Sequence, residues 1–345
     1  MVSCCFKKLL YVLVSCFILC SCKKENYPYK IHDFSDGMQS RLKKIEKMQS
    51  LPLTDTMPEY YLRTSASKEE LVKLMDFEKP IVRVVAYKAI VDRKESDLFN
   101  LLLHHLNDTI KLEWWVFDDV QQYTTVSDLM ISKVANNYTL TRQQKQILVD
   151  SVLLHHSYLE YSNWMIGDIT PNAKYYDFIK QRAFITHKRC GNQLIACYAL
   201  AKFRKAEDVQ SLYKTFDVNK SCGYWMFKAI EVFPDKAFFP LLEEYFKNSI
   251  VKASRDGNNN GDVVYFARAV AAYKTPRALE ILDYLQKNGK GFLLDYNKRN
   301  VYKAVLLHDA PLYKNLKDII GSQIDKESLL RLKIQPLEYD DRFIW

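Results

Sequence analysis

Lys79-Pro80-Ile81-Val82-Arg83-Val84-Val85-Ala86-Tyr87-Lys88-Ala89-Ile90 is the stretch on which the fold turns. It reads as a helix entered through a proline, where the missing N–H does no harm. A polar turn at 92–96 follows, and then a second apolar helix, Asp97-Leu98-Phe99-Asn100-Leu101-Leu102-Leu103. With Ala89 as reference, an apolar residue stands twelve positions on, at Leu101. The same pair recurs as Ala229 with Leu241, Ala269 with Ile281 and Ala304 with Leu316, and Ala199 with Leu212 fits with one extra turn residue. Reference alanines at 199, 229, 269 and 304 lie 30, 40 and 35 residues apart. A helix pair of that size cannot bury both apolar faces alone, so it must stack on its neighbours. The small reference residue lets the two helices of a pair approach closely. Pro234, Pro276 and Pro311 fall in the intervening turns, where proline ends one helix or begins the next.

Composition agrees with helices. The 345 residues are 48% hydrophobic and 26% charged, which rules out wholesale disorder and leaves ample material for a core. Nine glycines and ten prolines are too few for the many turns of an all-β protein. The expectation is an all-α chain, an α-solenoid of antiparallel helix pairs, with the helical pattern continuing from Ser67 to the end.

The Pro80-Ile81-Val82-Arg83 opening with Ala86 and Ala89 resembles the signature of HEAT repeats, including the HEAT-like repeats of phycobilisome lyases. The resemblance implies a HEAT-like superhelix. It is good over 67–106, fair over 190–320 and poor over 110–185. The last stretch turns aromatic, with Trp114, Trp115, Tyr158, Tyr161, Trp164, Tyr175 and Tyr176, and reads either as degenerate repeats or as an inserted subdomain.

The first 22 residues carry a different message. Lys7 and Lys8 precede an 11-residue apolar run, 9–19, too short to span about 30 Å of hydrocarbon but suited to a secretory leader. Leu19-Cys20-Ser21-Cys22 then resembles the lipobox of bacterial lipoproteins. The resemblance implies cleavage before Cys22 and a diacylglycerol thioether on its sulfur, so that the membrane is reached through a lipid anchor. Leu13-Val14-Ser15-Cys16 also matches, but would leave Phe17-Ile18-Leu19 on the mature protein. Lys23-Lys24-Glu25 resembles in part the export signal of surface lipoproteins in Bacteroidetes, which implies the outer membrane with either leaflet open. The expected organisation is a leader over 1–21, a tether over 22–60 with one short helix around Gln39 to Gln49, the helical repeats over 61–325 and a tail over 326–345.

Fifty Lys and Arg against 41 Asp and Glu give +9, and removal of Lys7 and Lys8 leaves 48 against 41. No basic run or reading motif gathers this charge, so no nucleic-acid partner is expected. Five of the eight cysteines lie at or before Cys22. The remaining three, Cys190, Cys197 and Cys222, are an odd number without zinc spacing and read as buried apolar thiols.

Few residues nominate chemistry. Asp256, Asn258 and Asn260, with Gly261 and Val263, resemble the first half of an EF-hand calcium loop, but Ala267 stands where the bidentate Glu belongs. A turn-rich connection between helices is the expectation there, and no metal is assigned. Neighbouring histidines point about 100° apart on a helix, so neither His104-His105 nor His155-His156 chelates one ion by itself. His156 and Glu160 share a face but lack a third ligand. No G-x-S-x-G, P-loop or G-x-G-x-x-G occurs, and no cofactor is expected. Asp55-Thr56-Met57, Asp108-Thr109-Ile110 and Asp150-Ser151-Val152 resemble the O-glycosylation sequon of exported Bacteroidetes proteins, a motif short enough to arise by chance. The functional expectation is an envelope scaffold or adaptor that holds a protein partner on a helical-repeat surface. The alternative is an enzyme or a small-ligand or glycan binder with its site in 110–185.

Overall fold

The structure is a computed structural model and describes residues 27–48, 50–52, 56–117, 120–185, 190–220, 222–252, 262–289 and 291–334. Cys22 and the calcium candidates Asp256, Asn258 and Asn260 lie outside the described residues. The described chain is mostly α-helical and divides into two compact units, one up to Thr141 and one from Arg142 on.

The first unit holds α1 (Asp36–Glu46), α2 (Met57–Thr64), α3 (Lys68–Met75), α4 (Pro80–Asp92), α5 (Leu98–His104), a hairpin of β1 (Lys111–Phe117) and β2 (Val120–Thr125), and α6 (Val126–Asn137). Helix α4 carries the quoted stretch. It is apolar on nearly every side and is accordingly enclosed, with α1, α2, α3, α5 and α6 all packed on it. Its neighbours start where their sequences stop them fraying. Thr56 with Glu59, and Ser67 with Glu70, form reciprocal capping boxes that satisfy first-turn N–H groups at α2 and α3.

Residues 31–46, in the stretch expected as a tether with one short helix, form a 3-10 turn and α1, whose Met38, Leu42 and Ile45 are fully buried. Three apolar residues at helical spacing are enough to dock that segment on α2 and α4. The helical pattern is also interrupted. Residues 111–125 pair as antiparallel strands, Lys111 opposite Thr125 and Trp114 opposite Gln122, and Leu51 adds a parallel bridge to Trp114. Threonines, aromatics and valines crowd this stretch and favour the pleated conformation. Finally Leu101, the twelve-residue partner of Ala89, is half-buried, while Leu98, Phe99 and Leu102 of α5 supply the burial.

The second unit runs α7 (Arg142–His155), α8 (Tyr161–Asp168), α9 (Ala173–Phe184), α10 (Cys190–Ala201), α11 (Val209–Val218), α12 (Gly223–Val232), α13 (Phe239–Tyr245, prolonged by a π-helical turn Phe246–Val251), α14 (Val263–Ala271), α15 (Pro276–Lys287), α16 (Phe292–Leu307), α17 (Lys314–Gln323) and α18 (Lys326–Ile334). The reference alanines Ala199, Ala229, Ala269 and Ala304 sit on α10, α12, α14 and α16 and are all fully buried. Their partners Leu212, Leu241, Ile281 and Leu316, on α11, α13, α15 and α17, are buried as well. The first helices pack on one another in chain order: α8 on α10, α10 on α12, α12 on α14, α14 on α16.

The spacing of the reference alanines has a counterpart in the backbone. Five residues after the reference alanine the chain turns left-handed at Arg204 (φ 52°) and Lys274 (φ 53°), and likewise at Lys94 (φ 55°) after Ala89. Helix-end carbonyls, left open by the helix itself, are taken by side chains of adjoining segments. Arg204 Nε donates to Val232 O at 2.9 Å, and Tyr313 Oη donates to Ala271 O at 2.9 Å.

Cys190 and Cys222 are joined by a disulfide across a sequence separation of 32, Cα to Cα 6.3 Å. This corrects the reading of three apolar thiols. Cys190 opens α10 and Cys222 caps α12, so the two residues meet at the same end of adjacent first helices. Of these three, Cys197 stays a thiol; it is fully buried, and burial drives its pKa far up.

Candidate functional site

The face shared by α10, α12 and α14 is where rings and cations converge. Tyr198 of α10 lies 5.6 Å from Trp225 of α12, centroid to centroid. Trp225 meets Tyr224 edge-on at 4.7 Å, and Tyr224 meets Tyr265 of α14 at 4.2 Å. Four half-exposed rings thus run without a break over three helices. The two contacts of Tyr224 are edge-to-face, an arrangement that ring quadrupoles favour, and Tyr198 lies tilted against Trp225.

Cations are set among these rings. Lys228 Nζ lies 4.6 Å from the Trp225 centroid, 5.1 Å from that of Tyr198 and 5.2 Å from that of Tyr224. Lys202 Nζ stands 4.4 Å from the Tyr198 ring and donates to Gly167 O at 2.6 Å and Ile169 O at 3.3 Å. The ammonium therefore closes the C-terminal end of α8, where the helix dipole favours positive charge. Burial is the main cause that brings the Lys202 pKa down to about 8; Asp168 opposes it and Lys228 adds to it. Gly167 permits this close approach: a Cβ there would stand 2.9 Å from Ile195 Cδ1 and 3.7 Å from Trp225 Cη2.

One step further along, Glu231 of α12 gathers two donors on a single oxygen. Arg268 Nε of α14 is 3.0 Å from its Oε1, and His308 Nε2, just past α16, is 2.9 Å from the same atom. All three side chains are largely buried. One carboxylate thus links α12, α14 and the residue just past α16.

The residues nominated from sequence lie elsewhere. His105 is buried, with Asp76 Oδ1 3.7 Å from its Nε2, while His104 is exposed. His156 Nδ1 is 3.0 Å from Tyr158 Oη. No group of three potential metal ligands occurs among the described residues. The aromatic stretch 110–185 is divided between the two units, and several of its polar ring atoms have hydrogen-bond partners. Trp115 Nε1 donates to Ser50 Oγ at 3.0 Å, the Tyr175 hydroxyl to Asp150, and the Tyr176 hydroxyl lies 2.8 Å from Asp208 Oδ2. A cavity of about 390 Å³ is lined by Lys220, Glu244, Tyr245, Asn248, Ser249 and Asp262. Its charged groups are largely matched to one another. Lys220 pairs with Asp217 and Glu244, each at 2.7 Å, and Tyr245 Oη donates to Asp262 at 3.0 Å.

No sequence motif marks the ring-and-cation face. Its signal is register: Tyr198, Lys228, Arg268 and Lys303 each stand one residue before a reference alanine. No family model, no curated protein and no solved structure matches this chain. Among the described residues no helix is long and apolar enough to cross a membrane.

Proposed function

We propose that this chain is a lipid-anchored protein of the cell envelope, held in the outer membrane through Cys22, and that its second unit is a HEAT-like α-solenoid that binds a protein partner along its first helices. The observation that carries this reading is the unbroken face of Tyr198, Trp225, Tyr224 and Tyr265 with Lys202 and Lys228 between them. Stacked repeats commonly bind through such extended surfaces, and half-exposed Trp and Tyr residues are typical anchors of protein interfaces. The Cys190–Cys222 disulfide supports an exported location, since disulfides persist in oxidising compartments. The lipobox-like Leu19-Cys20-Ser21-Cys22 supports the anchor.

Two measurements test the reading. Mass analysis of the mature N-terminus is expected to find Cys22 as the first residue, carrying acyl chains, and Cys22→Ser is expected to move the protein from the membrane to the soluble fraction. A photo-crosslinking residue in place of Tyr265 is expected to capture a discrete protein in the intact envelope. A mature product that keeps its leader, or a Tyr265 probe that captures nothing while one at exposed Ile319 does, refutes the corresponding half.

A further inference from the structure

We infer that the outer edge of β2 docks a second copy of this chain: two β2 strands pair antiparallel about a two-fold axis at Gln122, joining two hairpins into one four-stranded sheet. This surface belongs to the first unit and is independent of the ring-and-cation face of the second. The two edges of the hairpin differ. Leu51 covers that of β1, where its N–H donates to Glu113 O at 2.9 Å and its carbonyl accepts from Trp115 N–H at 3.0 Å. Along an antiparallel strand, alternate residues send their backbone groups to the same side. Glu113 and Trp115 face Leu51, so Leu112 and Trp114 face β2 and bond across to Thr124 and Gln122. The bond from Val126 N–H to Ile110 O, at 3.0 Å, continues that series. Gln121 and Tyr123 therefore turn their N–H and C=O groups outward. Among the described residues no backbone group outside the hairpin bonds to them. Gln121, Gln122 and Tyr123 are all exposed, Tyr123 by 66%.

The composition of the edge selects the occupant. Open edges are ordinarily guarded by lysine, proline, a bulge or a covering element. β2 reads Val120-Gln121-Gln122-Tyr123-Thr124-Thr125, with no charge, proline or glycine. The irregularity of the hairpin falls between Trp115 and Phe117 of β1, not on β2. A two-fold axis sets the same strand against itself, so any charge near the axis would meet its own sign. An uncharged strand is what such self-pairing requires.

The outward groups also fix the register. With Gln122 opposite Gln122, Gln121 of each copy faces Tyr123 of the other and exchanges both backbone bonds with it, so every outward N–H and C=O of the two residues is satisfied. Centring the axis on Tyr123 would instead set Gln121 against Thr125, whose carbonyl, at the N-cap of α6, already serves the helix. The Gln122 register also keeps α6 clear, since Val126 then lies beyond the Val120 end of the other β2. A six-residue strand gives a contact about 20 Å long. So short a contact is reversible, and a covalent trap suits it.

The test uses the full chain in detergent. Opposed residues of a non-hydrogen-bonded pair have Cα atoms about 4.5 Å apart, within reach of a disulfide, while the two Gln121 Cα atoms would stand about 8 Å apart, beyond it. Under mild oxidation Gln122→Cys is expected to yield at least tenfold more disulfide-linked dimer than Gln121→Cys, than Met57→Cys at a site 80% exposed in the same unit, or than the parent chain, whose own cysteines set the background. Charge at the same position supplies the second arm. Gln122→Lys and Gln122→Glu, each prepared with two different tags, are expected to co-capture their own kind at least fivefold less than the parent does. A mixture of the two variants is expected to recover the parent level. Gln122 is exposed, and unchanged thermal melting would show the variants folded. Equal trapping at 121 and 122, no trapping at 122, or co-capture indifferent to the charges would overturn the inference. So would a Gln122→Cys chain that, oxidised in the intact cell, links to a different protein instead of to its own copy.

Discussion

Arg83 is fully buried and spends its guanidinium on partners that no other residue type could satisfy together. Nε and Nη2 donate to the two oxygens of Asp108 at 2.6 and 3.1 Å, Nη1 donates to Phe77 O at 2.8 Å, and Cζ lies 3.6 Å from the Tyr27 ring centroid. A planar fork with five donors fits that arrangement where a lysine would not. Asp108 is equally buried. Removing one member of such a pair strands the other charge, so Asp108→Ala is expected to destabilise the first unit by about 3–5 kcal/mol in urea unfolding. Asp97→Ala, which removes an exposed partner of Lys68, is expected to leave the midpoint unmoved. His105 stands beside this pair. Burial is the chief cause that lowers its pKa, Asp76 and Asp108 oppose the shift, and His104 and Arg83 reinforce it. The folded state thus holds a neutral imidazole while the unfolded chain takes up a proton near pH 6.5. Stability from this group is whole above that range and falls as pH drops through it. Unfolding midpoints measured from pH 7.5 to 5 should decline less steeply for His105→Gln than for the parent chain; parallel curves would remove His105 as the cause.

Helix pairs explain how far the sequence could be read. Ala199, Ala229, Ala269 and Ala304 and their partners twelve or thirteen residues on are buried where the spacing placed them, because close packing of two helices demands a small residue at a repeated point. The same spacing hides three things. The hairpin at 111–125 replaces helix through local β propensity, which a search tuned to a 3.6 period passes over. Tyr198, Tyr224, Trp225 and Tyr265 gain meaning only once α10, α12 and α14 are side by side, so a contiguous aromatic stretch such as 110–185 drew attention instead. Cys190 and Cys222 were unreadable as a pair for a related reason. Their separation of 32 is close to the 30 residues between Ala199 and Ala229, and the starts of the packed helices α10 and α12 come together only in the folded chain. Closing a loop of that length restricts the unfolded state by roughly 3–4 kcal/mol on the chain-entropy estimate. Reduction, or Cys190→Ser, is therefore expected to lower the stability of the second unit by about 2–4 kcal/mol. Urea titrations with and without reductant would read the loss, and thiol labelling in denaturant should find Cys197 reactive without reduction and Cys190 and Cys222 only after it.

Two compact units, each with its own core, make these perturbations separable. The first is organised around α4 and the Arg83–Asp108 pair; the second around first helices that pack in chain order and are tied by Cys190–Cys222 and by the Glu231 carboxylate. Cooperative folding spreads only as far as shared packing carries it. Each fault should then be felt in its own unit. Peptide-resolved hydrogen exchange in mild denaturant offers the check. Asp108→Ala is expected to speed exchange by at least tenfold in peptides from α4 and to leave α12 and α14 near their parent rates. Reduction of the disulfide is expected to do the reverse. If either change loosened α4 and α12 by the same factor, the chain would be unfolding as a single body, and the division at Thr141 would have no thermodynamic meaning.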